Sequence, residues 1–355
     1  MENSRIQILR DELYKLKLNG MIVTTKENIF YLTEIDIDGY LILSLSESIF
    51  LCLDKDVKKA NEMLNIYSGV SVLSLEKSQN ILENMFSEND CIAVEADSMT
   101  LKEFDNVKKI FKTNFKITDK IIEKIREVKD TFEIEKIKYI CLEISKILEK
   151  VKYMLKPHVS EIEIRNEIIK RMNEKDIYPE EVRVTSGENT ADISSKGSFR
   201  KLFKNDIVNI DIVGKKDKYF GEIGRTFFIG DEYKKEAYLN YEKIYKVYDN
   251  AIKILKKYNN ASEIFKSLKN DLENINWNLN YYTVRSIGLT RKDEPFFECG
   301  NYENIKKGMV LTIEPQIYFD GNYGILLKDT IVITDANYIY LTDFGNQELE
   351  NIILN

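Results

Sequence analysis

One histidine, His158, serves a chain of 355 residues. Ser-His-Asp triads, His-bearing zinc sites and Cys-His pairs each need an imidazole at the reacting centre. That scarcity limits the available chemistry more than any motif present. The lone imidazole stands in Lys156-Pro157-His158-Val159-Ser160, a turn between two expected helices, where an exposed or capping role is ordinary. Any chemistry falls to carboxylates, lysines, arginines, tyrosines or water. Cysteine is sparse too. Cys52, Cys91, Cys141 and Cys299 lie far apart without a CxxC, a spacing that suits buried thiols in a reducing cytoplasm. Apolar runs stay well short of the roughly 18 residues that a membrane span needs. The start, Met1-Glu2-Asn3-Ser4-Arg5, leads into an amphipathic helix without the apolar stretch of a signal peptide. Charge of one sign is not concentrated: 52 Lys and Arg are interspersed with 59 Asp and Glu, for a net charge of −7. No nucleic-acid or membrane partner is therefore expected. Low-complexity tracts and fixed-period repeats are absent.

The remaining composition, 43% hydrophobic and 31% charged, describes an ordinary globular protein long enough for two cored domains. Ile6, Leu9, Leu13 and Leu16 recur at helical spacing over 5–18, and Asn19-Gly20 ends that helix. Strands are predicted at 21–23, 40–43, 49–53, 70–73 and 91–94, with a charged helix from about Val57. This alternation predicts an α/β domain over 1–122. A long helix is expected over 131–155, with Ile134, Ile137, Cys141, Ile144, Leu148, Val151 and Leu155 on one face. Asp130-Thr131-Phe132-Glu133 and Ser160-Glu161-Ile162-Glu163 have capping-box spacing, the second opening a helix through Met172. Further on, strands are expected at 207–213, 219–229, 309–314 and 325–333, with helices near 234–257 and 261–273. The second half, 123–355, is α+β in character.

Three of those strands carry a charge inside an apolar run: Asp211 in Ile207–Val213, Glu314 in Met309–Pro315, and Lys328 in Gly324–Ile333. An unpaired charge there is costly enough to demand neutralisation or a partner. Two acids and one base in strands of one domain suggest a shared polar cavity. A buried salt bridge without function, or charges on solvated strand faces, satisfies the same pattern.

Six short blocks occur in order: Asn28-Ile29-Phe30-Tyr31-Leu32-Thr33, Val128–Ile134, Leu155–Glu163, Ser186-Gly187-Glu188-Asn189-Thr190-Ala191, Gly224-Arg225-Thr226-Phe227 and Thr312-Ile313-Glu314-Pro315. Together they resemble the superfamily of creatinase, prolidase and aminopeptidase P over nearly the whole chain. The resemblance implies an α/β N-terminal domain followed by an α+β domain of pita-bread fold. It also implies a homodimer. His158 stands where that superfamily has a glycine.

Active metallopeptidases of the superfamily hold two divalent metals with two Asp, one His and two Glu. By resemblance, Asp211 takes the first aspartate position, Glu222 the second and Glu314 the first glutamate. Arg285 stands at the ligand histidine and Lys328 at the last glutamate. The two assisting histidines correspond to Ser194 and Lys292. Asp211, Glu222 and Glu314 then carry three negative charges against Arg285, Lys328 and Lys292, so fixed cations are expected to replace the metals. The expected site is metal-free, without a cofactor, and binds a small-molecule or peptide-like ligand. Its expected catalytic candidates are Glu314, Glu222, Lys328 and Lys292; Asp211, Arg285, Arg225 and Ser194 balance charge or line the pocket. Arg225 is expected to hold the Glu222 carboxylate, and Tyr281-Tyr282 are candidate lining residues. Cys299 lies near the Lys292 segment but has no histidine to activate it.

The leading expectation is a non-peptidase pocket protein. One alternative is a metal-independent, creatinase-like hydrolase of C–N bonds in a small amino-acid derivative. Another is a divergent Xaa-Pro peptidase with one ion on Asp211, Glu222 and Glu314.

Overall fold

The computed structural model describes residues 4–64, 69–95, 98–230, 235–257, 260–274, 284–319, 321–335, 337–344 and 352–354. It divides into two compact units, Met1–Arg126 and Glu127–Asn355. The division falls a few residues beyond the 122/123 expected from the strand pattern, because a short helix, Ile121–Arg126, belongs to the first unit.

The first unit runs α1 (Ser4–Lys15), β1 (Gly20–Val23), α2 (Lys26–Thr33), β2 (Tyr40–Ser44), β3 (Ser48–Cys52), α3 (Val57–Met63), β4 (Ser71–Ser74), α4 (Gln79–Glu83), β5 (Cys91–Glu95), α5 (Leu101–Ile110), β6 (Asn114–Thr118) and α6 (Ile121–Arg126). Its six-stranded sheet has the order β4-β3-β2-β1-β5-β6. β1 pairs antiparallel with β2 and parallel with β5, making a mixed sheet of α/β type. Ile6, Leu9 and Leu13 of α1 are fully buried as their spacing predicts, but Leu16 is 44% exposed. The helix stops earlier than expected because Lys17 turns left-handed (φ 57°) and the Leu18 amide reaches back to the Leu13 carbonyl, a Schellman closure. Leu18 takes the buried place. The Asn28 block folds into α2, where Asn28 is fully buried. It donates to Glu95 and Glu123 and accepts from Arg126.

The second unit runs α7 (Thr131–Lys152), α8 (Glu161–Asn173), β7 (Tyr178–Ser186), β8 (Ile207–Lys216), β9 (Tyr219–Ile229), α9 (Lys235–Lys257), α10 (Ala261–Asn274), β10 (Val284–Ser286), β11 (Val310–Ile313), β12 (Gln316–Phe319), β13 (Tyr323–Leu326), β14 (Asp329–Ile333), β15 (Tyr338–Tyr340) and β16 (Ile353–Leu354). Two four-stranded sheets, β16-β9-β8-β7 and β10-β11-β14-β15, accompany the β12-β13 hairpin. Both capping boxes form, Asp130 with Glu133 and Ser160 with Glu163. Helix α7 lies on β8 and β9 at Gly214 and Gly221, which are register partners. A Cβ at Gly214 would stand 3.0 Å from Ile140, and one at Gly221 2.8 Å, so side chains there would push the helix off the sheet.

The predicted strand 325–333 is two strands. The chain leaves β13 at Leu326 and enters β14 at Asp329. Between them the Lys328 amide and carbonyl pair with Gly224 of β9 at 2.9 and 3.0 Å. β11 likewise ends at Ile313, just before Glu314-Pro315, where proline removes a ladder donor. Both breaks deliver a charged side chain to one place. Among the described residues, no helix is long and apolar enough to cross a membrane.

Candidate functional site: a buried cluster of matched charges

Asp211 stands mid-way along β8, opposite Gly224 of β9 and Arg183 of β7. Ile210 and Ile212 on either side are fully buried, and side chains alternate across a strand, so Asp211 projects to the other face. Glu222 enters from β9, Arg285 from β10 opposite Thr312, Glu314 from the end of β11, and Lys328 from the break before β14. All five are buried; Lys328 and Glu222 are 0% exposed.

The Lys328 ammonium is the hub. It donates to Asp211 Oδ1 and Oδ2 at 2.7 and 2.9 Å, lies 2.8 Å from Glu314 Oε1 and 3.7 Å from Glu222 Oε2. Arg285 donates from Nη2 to Glu222 Oε2 and to Glu314 Oε2 at 3.1 Å, with Nε also directed at Glu314. Its Nη1 donates to the Arg291 carbonyl. Arg291 extends the network outward, with Nε 3.1 Å from Glu222 Oε1 and Nη1 2.6 Å from Glu181 Oε2.

The electrostatics follow from this packing. Burial alone would raise the Glu222 carboxyl, but Arg285, Lys328 and Arg291 hold it down to about 2. Burial likewise disfavours the Lys328 ammonium, yet Asp211, Glu314 and Glu222 push its pKa above the ordinary lysine value. Arg285 is raised in the same manner by Glu222 and Glu314. Glu222 therefore stays charged, and Lys328 and Arg285 keep their protons.

Five sequence-predicted residues thus come together: Asp211, Glu222, Arg285, Glu314 and Lys328. The others do not join them. Lys292 is exposed, and its neighbour Arg291 supplies the third cation. Ser194 is exposed and closes a turn on Asp192, with Oγ and N at 2.6 and 2.8 Å from Oδ1. Arg225 does not hold Glu222. Three residues on along β9, it faces the other side, donating to Asp329 Oδ1 at 2.8 Å and the Lys328 carbonyl at 2.7 Å. Cys299 is exposed and Cys91 half-buried, against the expectation of buried thiols; Cys52 and Cys141 are buried, and all four are free. His158 is exposed in its turn with φ 74°, a conformation that suits the glycine it resembles. Tyr281 and Tyr282 lie outside the described residues.

Sequence reasoning missed Arg291, Glu181, Arg183 and Tyr318. Arg183 is held above its ordinary value against burial by Tyr318, with which it hydrogen-bonds, and by Asp211. Burial pushes the Tyr318 hydroxyl up to about 12 despite Arg183. Val182-Arg183-Val184 carried a faint signal, a cation alternating with apolar residues. Its register against Asp211 is a tertiary fact. Among the described residues, no group of three or more His, Cys, Asp or Glu side chains is disposed to hold a metal ion.

Comparison with known proteins gives a consistent result. The profile of metallopeptidase family M24 matches residues 135–335, and that of the creatinase/prolidase N-terminal domain matches residues 5–128. An uncharacterized peptidase of Staphylococcus epidermidis is 26% identical, covering 96% of this chain and 99% of its own. Among solved structures, a Xaa-Pro dipeptidase from Bacillus anthracis superposes with a TM-score of 0.86 at 20% identity, covering 99% of both chains. The prolidase from Pyrococcus horikoshii gives 0.82 at 20% identity, covering 97% of this chain and 99% of its own. The fold is therefore the expected one, a creatinase/prolidase-type α/β domain followed by an α+β pita-bread domain.

Proposed function

This chain belongs to metallopeptidase family M24, with a creatinase/prolidase N-terminal domain, and from that premise we propose that it is a metal-free, non-peptidase member. In this reading the pita-bread domain holds a small-molecule or peptide-like ligand. One observation carries it: the Lys328 ammonium sits 2.7 Å from Asp211 and 2.8 Å from Glu314.

The family implies two divalent ions, and the residues present do not fit them. A hard cation needs carboxylate oxygens at roughly 2.0–2.6 Å. Those of Asp211 already accept from Lys328, those of Glu314 from Lys328 and Arg285, and those of Glu222 from Arg285 and Arg291. An incoming dication would also meet an ammonium and a guanidinium at close range, where like charges in a buried site repel strongly.

The same ledger bears on catalysis. A general base must be able to take a proton near neutral pH. Glu222, held at about 2, is a poor acceptor. Lys328 stays an ammonium and offers no lone pair. Both Glu314 oxygens are occupied, Oε1 by Lys328 and Oε2 by Arg285. A creatinase-like C–N hydrolase would need one of these contacts to open. The peptidase names of the relatives favour a second reading, a divergent Xaa-Pro peptidase, which requires Lys328 to leave the acids.

Elemental analysis of protein purified without chelator, with a Mn²⁺-supplemented Xaa-Pro assay, tests the proposal. Substoichiometric metal and no metal-stimulated turnover are expected; stoichiometric metal with turnover defeats it. The reading includes a homodimer, checked by light scattering, in a reducing cytoplasm compatible with four free thiols.

A further inference from the structure

The buried acids offer a ligand nothing. Both oxygens of Asp211 accept from Lys328, those of Glu222 from Arg291 and Arg285, and those of Glu314 from Lys328 and Arg285. The donors are less fully used. A guanidinium carries five N–H groups in a planar fork. Among the described residues, Arg291 uses Nε on Glu222 and Nη1 on Glu181, which leaves Nη2 without an acceptor. Arg183 donates from Nε to the Ser195 carbonyl at 3.3 Å and shares a hydrogen bond with Tyr318, so it also keeps N–H groups.

These two guanidinia share an edge of the cluster. Glu181 and Arg183 are two residues apart on β7, so they share a strand face at roughly 7 Å spacing. Arg291 reaches that face through Glu181. Solvent reaches it as well: the Arg291 side chain is 35% exposed and Glu181 25%. Charges within the cluster match, Asp211, Glu222, Glu314 and Glu181 against Lys328, Arg285, Arg291 and Arg183. Asp211, Glu222 and Glu314 sit inside and two cations sit at the rim, where the fourth acid, Glu181, is already paired with Arg291.

We propose that Arg183 and Arg291 form an oxyanion subsite at the edge of the buried cluster, taking the carboxylate or phosphate group of a small molecule. Guanidinium forks match both groups through paired hydrogen bonds. This deepens the reading of the domain as a ligand pocket and rests on it.

The test is calorimetric titration of the whole protein in EDTA with sodium succinate and, separately, inorganic phosphate, against chloride at matched ionic strength. Saturable binding of at least one is expected. R183Q and R291Q should each weaken it roughly tenfold or more, whereas K59Q, which changes an exposed lysine of the first unit, should not. Succinate alone would indicate a carboxylate ligand, and phosphate alone a tetrahedral one. If a glutamine variant melts abnormally, R183K and R291K keep the charge, lose the fork, and should weaken binding to a smaller extent. Absence of saturable binding overturns the proposal, as does a double variant that binds like the parent. Chelator keeps this outcome separate from the metal question, which elemental analysis answers independently.

Discussion

Replacing Lys328 by methionine removes the hub while keeping an unbranched side chain of similar length, so the loss is electrostatic rather than a cavity. Asp211 then loses the donor to both its oxygens, and Glu314 the donor to Oε1. Arg285 and Arg291 remain to face Glu222 and Glu314. Removing one partner of a buried charge pair costs about 3–5 kcal/mol, against a total of roughly 5–15 kcal/mol for a typical domain. The C-terminal unit of Lys328→Met should therefore be marginal at room temperature. Because the chain has two compact units, unfolding need not be two-state, and the probe must follow the second. Its one tryptophan, Trp277, falls in that half of the sequence, so tryptophan fluorescence during urea titration is the assay. Adding Mn²⁺ to the variant should recover part of the lost stability, and EDTA should reverse the gain, since three carboxylates are then short of cations. A loss below about 1 kcal/mol, a size usual for exposed ion pairs, would mean that Lys328 is not the keystone of this cluster.

Acid provides a second handle. Glu222 is fully buried and its folded pKa is depressed, so its contribution is present above the ordinary carboxylate value of 4.5 and fades as pH falls toward about 2. That window corresponds to about 3 kcal/mol of pH-dependent stability, and urea midpoints of the parent between pH 5 and 2.5 should fall more steeply than those of Glu222→Gln. The double change Lys328→Glu with Arg285→His installs the ligand types that the family resemblance implies at both positions, and should produce calorimetrically detectable Mn²⁺ binding beyond any that the parent gives. Arg225→Ala leaves Asp329 without its guanidinium partner, 2.8 Å away and 2% exposed, so a loss of about 3–5 kcal/mol is expected in urea melts. His158→Gly relieves a left-handed residue and should be neutral to stabilising by up to about 1 kcal/mol; abolished ligand binding would overturn its assignment as a turn residue.

Much of this architecture was legible because apolar strands and charges are incompatible. Asp211, Glu314 and Lys328 stood out in otherwise hydrophobic runs, and burial obliges such groups to find one another. The capping boxes of α7 and α8 were readable for a similar reason: a short polar side chain three residues before an acid answers unpaired amides. Arg285 and Glu222 became visible only through family resemblance. Helix ends were less readable. α7 closes at Lys152 rather than Leu155, and the left-handed Lys17 beyond α1 carries no mark in its identity. The exchange of Lys292 for Arg291 has a local cause. Alignment to a motif fixes which residue corresponds, not which side of the backbone it leaves from. Glu181 and Arg183 needed the register of β7 on β8 and the reach of the loop carrying Arg291, neither of which is written along one strand.

The break at Leu327-Lys328 ties the fold to the chemistry. A continuous strand over 325–333 would direct Lys328 by simple alternation. Instead the backbone turns out of β13, pairs Lys328 with Gly224, and is gripped at the Lys328 carbonyl by Arg225. A Cβ at Gly224 would stand 3.1 Å from the Lys328 Cβ, so glycine permits the close approach. Arg225, anchored on Asp329, thus sets where the ammonium stands although it touches none of the three acids that the ammonium neutralises. In a metal-bound site the ligands must capture their cations from solution, and stability depends on cation concentration. A cation carried on the chain removes that dependence. Its position is then fixed by β9, β13 and β14, and the elements that hold the acids also hold their counter-charge.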